Sequence, residues 1–215
     1  MKTDLELIFV IDASGSMYSL TEDTIGGFNR MIETHRKTEK NVLVSTILFN
    51  GGSRVLHDRV PIEAVEPMNE QQYQAGGGTA LLDALGGAIH HMGNVHKYAR
   101  KEDVPEKTLV VVTTDGMENC SRIYDGEKVR RMVRHEEEKY GWEFLFLGAN
   151  IDSVHTAAGL GIAPERAVNY VNDKEGNAVK YRAVSEAIDC CMRAAPLSEG
   201  TWRKEVDRDF SRRGK

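Results

Sequence analysis

Asp12, Ser14 and Ser16 form an Asp-x-Ser-x-Ser run directly after an apolar stretch, residues 5–11. One carboxylate and two hydroxyls at alternate positions of a short loop are all oxygen donors, and Gly15 lets the backbone curl so that they turn toward one point. Such a set suits a hard cation. Mg²⁺ wants near-octahedral oxygen geometry and gives up its waters reluctantly, so a loop supplying only part of a shell is typical of it. The other ligands must come from elsewhere in the chain. Thr79, after Ala75-Gly76-Gly77-Gly78, and Asp115, closing the apolar run at residues 108–114, are the oxygen-bearing residues placed to supply them.

The elements that would position these residues follow from the hydrophobic pattern. Residues 5–11, 42–49, 108–114 and 142–147 are short, apolar or β-branched runs and read as buried strands. Between them lie stretches of helical spacing. Ser19-Leu20-Thr21-Glu22 matches a capping box ahead of Ile25, Phe28, Met31 and Ile32. A long amphipathic helix carries Leu81, Leu82, Leu85, Ala88, Ile89, Met92 and Val95, with Thr79 at its entrance. Further helices are marked by Val129, Met132 and Val133, by Val154, Ala157 and Ala158, and by Val179, Ala183, Val184, Ala187, Ile188 and Cys191. A last short strand is expected at residues 167–171. Asn50-Gly51 is a hairpin signal, and the weak alternation of residues 54–60 suits an antiparallel edge strand. Gly26-Gly27 inside the first helix predicts close approach of another backbone.

Strands alternating with helices specify an α/β fold, doubly wound, with a mostly parallel sheet, one antiparallel edge strand and helices on both faces. In such sheets ligands sit outside the carboxyl ends of the strands where the strand order reverses. That point falls between the strands ending at Asp12 and Asp115, and the Thr79 hydroxyl enters the same crevice. One site would then collect Asp12, Ser14, Ser16, Thr79 and Asp115.

Composition bounds the function classes. The chain has 215 residues, 40% hydrophobic and 28% charged, ordinary for one globular domain. The domain is expected over residues 1–195, with a loose, charged tail over residues 196–215. A net charge of -5 with acids and bases interleaved gives no basic stripe, which argues against nucleic acid. No apolar run approaches the roughly 20 residues of a membrane span, and Asp4 and Glu6 break any signal-peptide core. A cytoplasmic protein is expected, with its three cysteines, Cys120, Cys190 and Cys191, as thiols.

These motifs resemble those of the von Willebrand factor A (vWA) domains, whose metal-ion-dependent adhesion site (MIDAS) is written Asp-x-Ser-x-Ser, then Thr, then Asp. All five positions are filled, and residues 5–11, Gly78-Thr79 with Ala84-Leu85, and residues 110–116 look like the flanking patterns. The resemblance covers about residues 5–195 and is greatest to small stand-alone intracellular prokaryotic members. It implies Mg²⁺ or Mn²⁺ held by the Ser and Thr hydroxyls and both Asp groups, directly or through water, with one position left for a partner's carboxylate. It implies no catalysis.

The charge argument leads the same way without the family. Hydroxyls are neutral, so a divalent ion among them keeps enough charge to attract another anion, and an Asp or Glu of a partner protein would complete its shell. The resulting expectation is a metal-dependent protein-binding module and not an enzyme. The alternatives are a metal-assisted hydrolase or phosphotransferase and a scaffold with an unused site. Catalysis is disfavoured because no spare general base accompanies the ligands.

Other residues that could do chemistry are read more plainly. Gly76-Gly77-Gly78-Thr79 lacks the Lys of a phosphate loop, and Asp12 stands where a nucleophile elbow would have Gly. His90, His91 and His96 never pair at three or four residues and are expected to be solvated. Asp83 is expected to favour its helix N-terminus, with support of the metal ligands as the alternative, and Glu118 and Asn119 to lie in a surface loop, with an edge of the site that tunes partner choice as the alternative.

Overall fold

The computed structural model describes residues 2–38 and 40–214. Its strands are β1 (Leu5–Asp12), β2 (Val42–Phe49), β3 (Ser53–Pro61), β4 (Lys107–Thr114), β5 (Glu143–Gly148) and β6 (Ala167–Asn169). They form a six-stranded sheet in the order β3-β2-β1-β4-β5-β6, parallel except for the β2–β3 hairpin. The helices are α1 (Thr21–His35), α2 (Leu81–Tyr98), α3 (Gly126–Tyr140), α4 (Ser153–Gly159), α5 (Lys174–Met192) and α6 (Lys204–Arg213). This is the doubly wound, mostly parallel sheet with one antiparallel edge that the alternation of elements predicts.

All eight residues of β1 are buried because both faces of the sheet are covered, which is why its sequence reads as a continuous apolar run. Leu5, Leu7, Phe9 and Ile11 face one core with Phe28 and Met31 of α1 and Val184 and Ile188 of α5. Ile8 and Val10 face the other core, built on Leu85 and Ile89 of α2, Val133 of α3 and Ala157 of α4. Each such aliphatic or aromatic side chain contributes about 1.5–3 kcal/mol on burial. The first even position of β1, Glu6, is buried with Arg59 Nε at 2.8 Å and His96 Nε2 at 2.7 Å.

Several local expectations change. The Ser19–Glu22 capping box does not form: a 3-10 helix over Gly15–Leu20 runs straight into α1, so the preceding turn already satisfies the first N–H groups. The close approach at Gly27 is to a side chain, since a Cβ there would stand 2.2 Å from the Tyr181 ring. His96 is drawn into the Glu6 ion pair, whereas His90 and His91 stay exposed. The last strand stops at Asn169, and Asp173 caps α5 by accepting from the Gly176 N–H.

The expectation of a loose tail is overturned. Leu197, Trp202 and Val206 are buried, Trp202 at 0% exposure, and the Trp202 indole donates to the Leu197 carbonyl at 3.2 Å. Arg182 of α5 pairs with Glu205, and Arg213 with Asp173 and Asp209. Three apolar residues spread over a charged stretch are enough, because Leu197 and Trp202 enter the core from the turns before α6 and α6 itself buries Val206.

Candidate metal centre

β1 and β4 lie side by side at the point where the strand order reverses, with Ile11 opposite Thr113. Asp12 is therefore the last residue of its strand and Asp115 the first beyond its neighbour, both at the carboxyl edge of the sheet. The segment before α2 crosses the same edge. The Gly76 N–H donates to the Ala13 carbonyl at 2.9 Å, and the Gly15 N–H to the Gly77 carbonyl at 3.2 Å. This stitches the two loops together. Gly77 adopts φ +77°, a conformation that favours glycine, and a Cβ on Gly78 would meet Cys120 Sγ at 2.8 Å. The glycine run serves this packing.

The five residues read from the sequence come together. Ser14 and Ser16 Oγ lie 3.1 Å apart, and Ser16 donates to Asp115 Oδ1 at 2.5 Å. Thr79 Oγ1 shares their neighbourhood: a Cβ built on Gly116 would be 3.8 Å from it and 4.0 Å from Ser16 Oγ. Asp12 Oδ1 accepts the Ser14 N–H at 2.7 Å, so this carboxylate also shapes the loop that carries the serines. Asp12, Ser14, Thr79 and Asp115 are all buried, and Ser16 alone of the five is exposed. The cluster thus opens to solvent on the Ser16 side. Tyr18 and Met117, two residues beyond Ser16 and Asp115, are 78% and 72% exposed.

Asp12 does not occupy the solvated crevice that its loop position implies; it is 1% exposed. Burial pushes its carboxyl above the usual range, opposed by hydrogen bonds from Thr114 and Ser14 and reinforced by the nearby Asp115 charge. A buried carboxylate crowded by a second one is a poor resting state without a cation. The donor set, three hydroxyls and two carboxylates, is all oxygen and matches what Mg²⁺ or Mn²⁺ accepts.

Supporting residues were not visible in the motif. Thr114 donates to Asp12 Oδ2 at 2.6 Å, and the Tyr73 hydroxyl to the Asp12 carbonyl at 2.5 Å. Asn172 Nδ2 donates to Asp115 Oδ2 at 3.0 Å. Thr114 and Asn172 each follow the strand-end rule, whereas nothing local to Tyr73 points to the site. Glu118 and Asn119, expected in a surface loop, instead tie that loop to the start of α2. Glu118 Oε2 accepts the Leu82 N–H at 2.9 Å, and Asn119 Oδ1 accepts the Thr79 N–H at 2.9 Å. Asp83, assigned to its helix N-terminus, accepts the N–H groups of Arg122, Ile123 and Tyr124 at 2.8–2.9 Å. Burial opposes its ionisation, and these three donors outweigh burial to hold the carboxyl below the usual range.

No protein-family model and no curated protein matches the chain. Solved structures do. A von Willebrand factor type A protein from Catenulispora acidiphila superposes with a TM-score of 0.56 at 16% identity, over 89% of this chain and 43% of that one. The vWF domain of the type V pili tip protein Mfa5 from Porphyromonas gingivalis gives 0.60 at 10% identity, over 89% and 97%. Proximal thread matrix protein 1 from the mussel byssus, with a zinc-occupied MIDAS motif, gives 0.55 at 17%, over 90% and 46%. The chain thus spans less than half the length of the first and third of these. At this level of identity the likeness concerns architecture, and the architecture of this chain is that of the vWA domains.

Proposed function

We propose that the chain is a metal-dependent protein-binding module. Asp12, Ser14, Ser16, Thr79 and Asp115 would hold one Mg²⁺ or Mn²⁺, with a coordination position left for the Asp or Glu of a partner protein. The observation that carries this reading is the convergence of three neutral hydroxyls and two buried carboxylates on a cluster open at Ser16. When bound, the ion supplies positive charge that is only partly neutralised, and an anion from outside completes it. The chain's own part is to hold the donors in register, through the loop stitching at Gly76 and Gly15 and the Asn119 hold on Thr79. Tyr18 and Met117 would give the partner apolar surface beside the ion, and exposed aromatic and Met side chains are favoured at interfaces.

We read the module as non-catalytic. Ser14 and Ser16 hydrogen-bond to each other and to Asp115, and no imidazole bonds to either hydroxyl among the described residues. A serine nucleophile needs such a base. The mussel protein with a zinc-occupied MIDAS supports divalent binding on this architecture. Among the described residues no helix is long and apolar enough to cross a membrane.

A pulldown with the tagged full chain tests the reading. Partner capture in Mg²⁺ should vanish in chelator and in Asp115→Ala, and capture unaffected by both would refute it. Phosphatase, nucleotidase or esterase turnover that disappears in Asp115→Ala would favour a metal-assisted hydrolase instead.

A further inference from the structure

Behind the site, on the sheet face covered by α5, lies a group that the metal reading does not use. Lys180 is wholly buried, and its Nζ has no hydrogen-bond partner. It sits between two rings, 4.8 Å from the centroid of Tyr170 and 4.6 Å from that of Tyr181. Lys180 makes no ion pair among the described residues, so it touches neither aspartate as a salt-bridge partner. The charges that face it are those of Asp115, beyond β4, and Asp12, at the end of β1. The titratable groups around it are Tyr170, Tyr181 and, beyond them, Tyr73, each kept neutral by burial.

Burying an amine is costly unless something offsets it, and an apolar side chain of similar length would fill the same space without that cost. Two aromatic faces offset part of it. The remaining compensation available on this side of the sheet is the carboxylate pair. Among the described residues, Asp12 and Asp115 in turn have only neutral donors as hydrogen-bond partners: Thr114, the Ser14 N–H, Ser16 and Asn172. A through-space cation satisfies both requirements.

We propose that Lys180 is the internal counter-cation of the Asp12–Asp115 pair, a positioning residue that favours the ionised carboxylates without metal and opposes the divalent ion on arrival. The proposal rests on the metal-site reading and adds a built-in competitor to it. Burial brings the amine down to about 7, against the pull of Asp115 and Asp12, so both protonation states are accessible at neutral pH. Entry of the ion expels one proton from the Lys180 ammonium to solvent and leaves a neutral amine. The site then gains one net positive charge, two entering with the dication and one leaving with the proton, instead of the two it would gain beside a permanent cation, and affinity rises with pH as the competitor is neutralised beforehand.

Titration calorimetry with Mn²⁺ on the full chain, wild type and Lys180→Met, at about pH 6 and about pH 8.5, separates the outcomes. Lys180→Met should bind about tenfold more tightly than wild type near the lower pH, the effect of one pK unit, and match it within about twofold near the upper. Equal affinities at both pH values, or a constant ratio, would overturn the Lys180 proposal and leave the metal site standing. Absence of binding to the wild type would overturn both. If Lys180→Met does not fold, the wild type decides alone, in buffers of different ionisation heat. Proton release should accompany Mn²⁺ binding near pH 7 and fade by about pH 8.5, and binding without release at neutral pH contradicts the proposal.

Discussion

Asn119 grips Thr79 from both sides of its backbone: its Oδ1 accepts the Thr79 N–H at 2.9 Å, and its own N–H donates to the Thr79 carbonyl at 3.1 Å. The segment that carries Thr79 is therefore held by the loop that carries Asp115, four residues before Asn119 in the chain. Neither residue is near the other in sequence. The pairing explains how a hydroxyl at the mouth of α2 stays in register with two loops on other strands.

Removing the grip should loosen the ligand without unfolding the protein. Asn119→Ala leaves the Thr79 N–H without its side-chain acceptor, a cost of about 1–3 kcal/mol that falls on the loop. Metal affinity should drop by roughly tenfold, while the thermal midpoint moves by only a few degrees. Gly78→Ala should act alike, because its new Cβ would collide with Asn119 Oδ1 at 2.9 Å. Unchanged metal affinity in both variants, measured by calorimetry, would detach Asn119 from the site.

Stability should fall as pH drops through the histidine range. Burial lowers His35 below its ordinary 6.5, against the pull of Asp189, and its Nε2 lies 2.8 Å from Ser185 Oγ. His57 is lowered by burial as well, against Glu66. A histidine that binds its proton less readily when folded contributes stability that is present above about pH 6.5 and is lost as pH falls from there through the folded value. Lys180 acts in a different window, between its folded value of about 7 and the ordinary 10.5. Urea denaturation at a series of pH values should show the decline below about pH 6.5, shallower in His35→Gln. A flat profile there would remove the assignment.

The carboxyl-terminal segment should matter to the whole domain. Trp202→Ala empties a fully buried site and should cost about 3–5 kcal/mol. Deleting residues 197–214 should destabilise further, because it uncovers α5. Chemical denaturation gives both values, and a loss under about 1 kcal/mol for Trp202→Ala would mean that the tail does not share the core.

The sequence disclosed the fold and the candidate site to different depths for physical reasons. Strand and helix order were legible because continuous apolar runs and 3.6-residue spacing are local properties, and the strand-end rule then brought Asp12 next to Asp115. The clustering of the five oxygen-bearing residues was legible because each stands at a strand's carboxyl end or at a helix entrance. The residues that hold the set were not. Asn119, Glu118, Asp83 and Tyr73 act on backbone groups 36 to 61 positions away, and such pairing leaves no spacing to read. Lys180 was not singled out, because a lysine within an amphipathic helix ordinarily keeps its amine in water and no spacing marks the exception. The tail misled because its few apolar residues are diluted by charge, although Leu197, Trp202 and Val206 suffice to dock it on the core.

The central claim is that Asp12, Ser14, Ser16, Thr79 and Asp115 form one cation site, and titration of the metal-free full chain with Mg²⁺ and Mn²⁺ tests it most directly. The conservative variants are Asp12→Asn and Asp115→Asn, which keep the volume of each side chain, and at position 12 the amide oxygen remains an acceptor for the buried Thr114 hydroxyl. We predict one ion per chain for the wild type and a loss of at least about a hundredfold in affinity for each variant, with circular dichroism unchanged. No saturable binding by the wild type, or binding that both variants retain at full strength, would contradict the account.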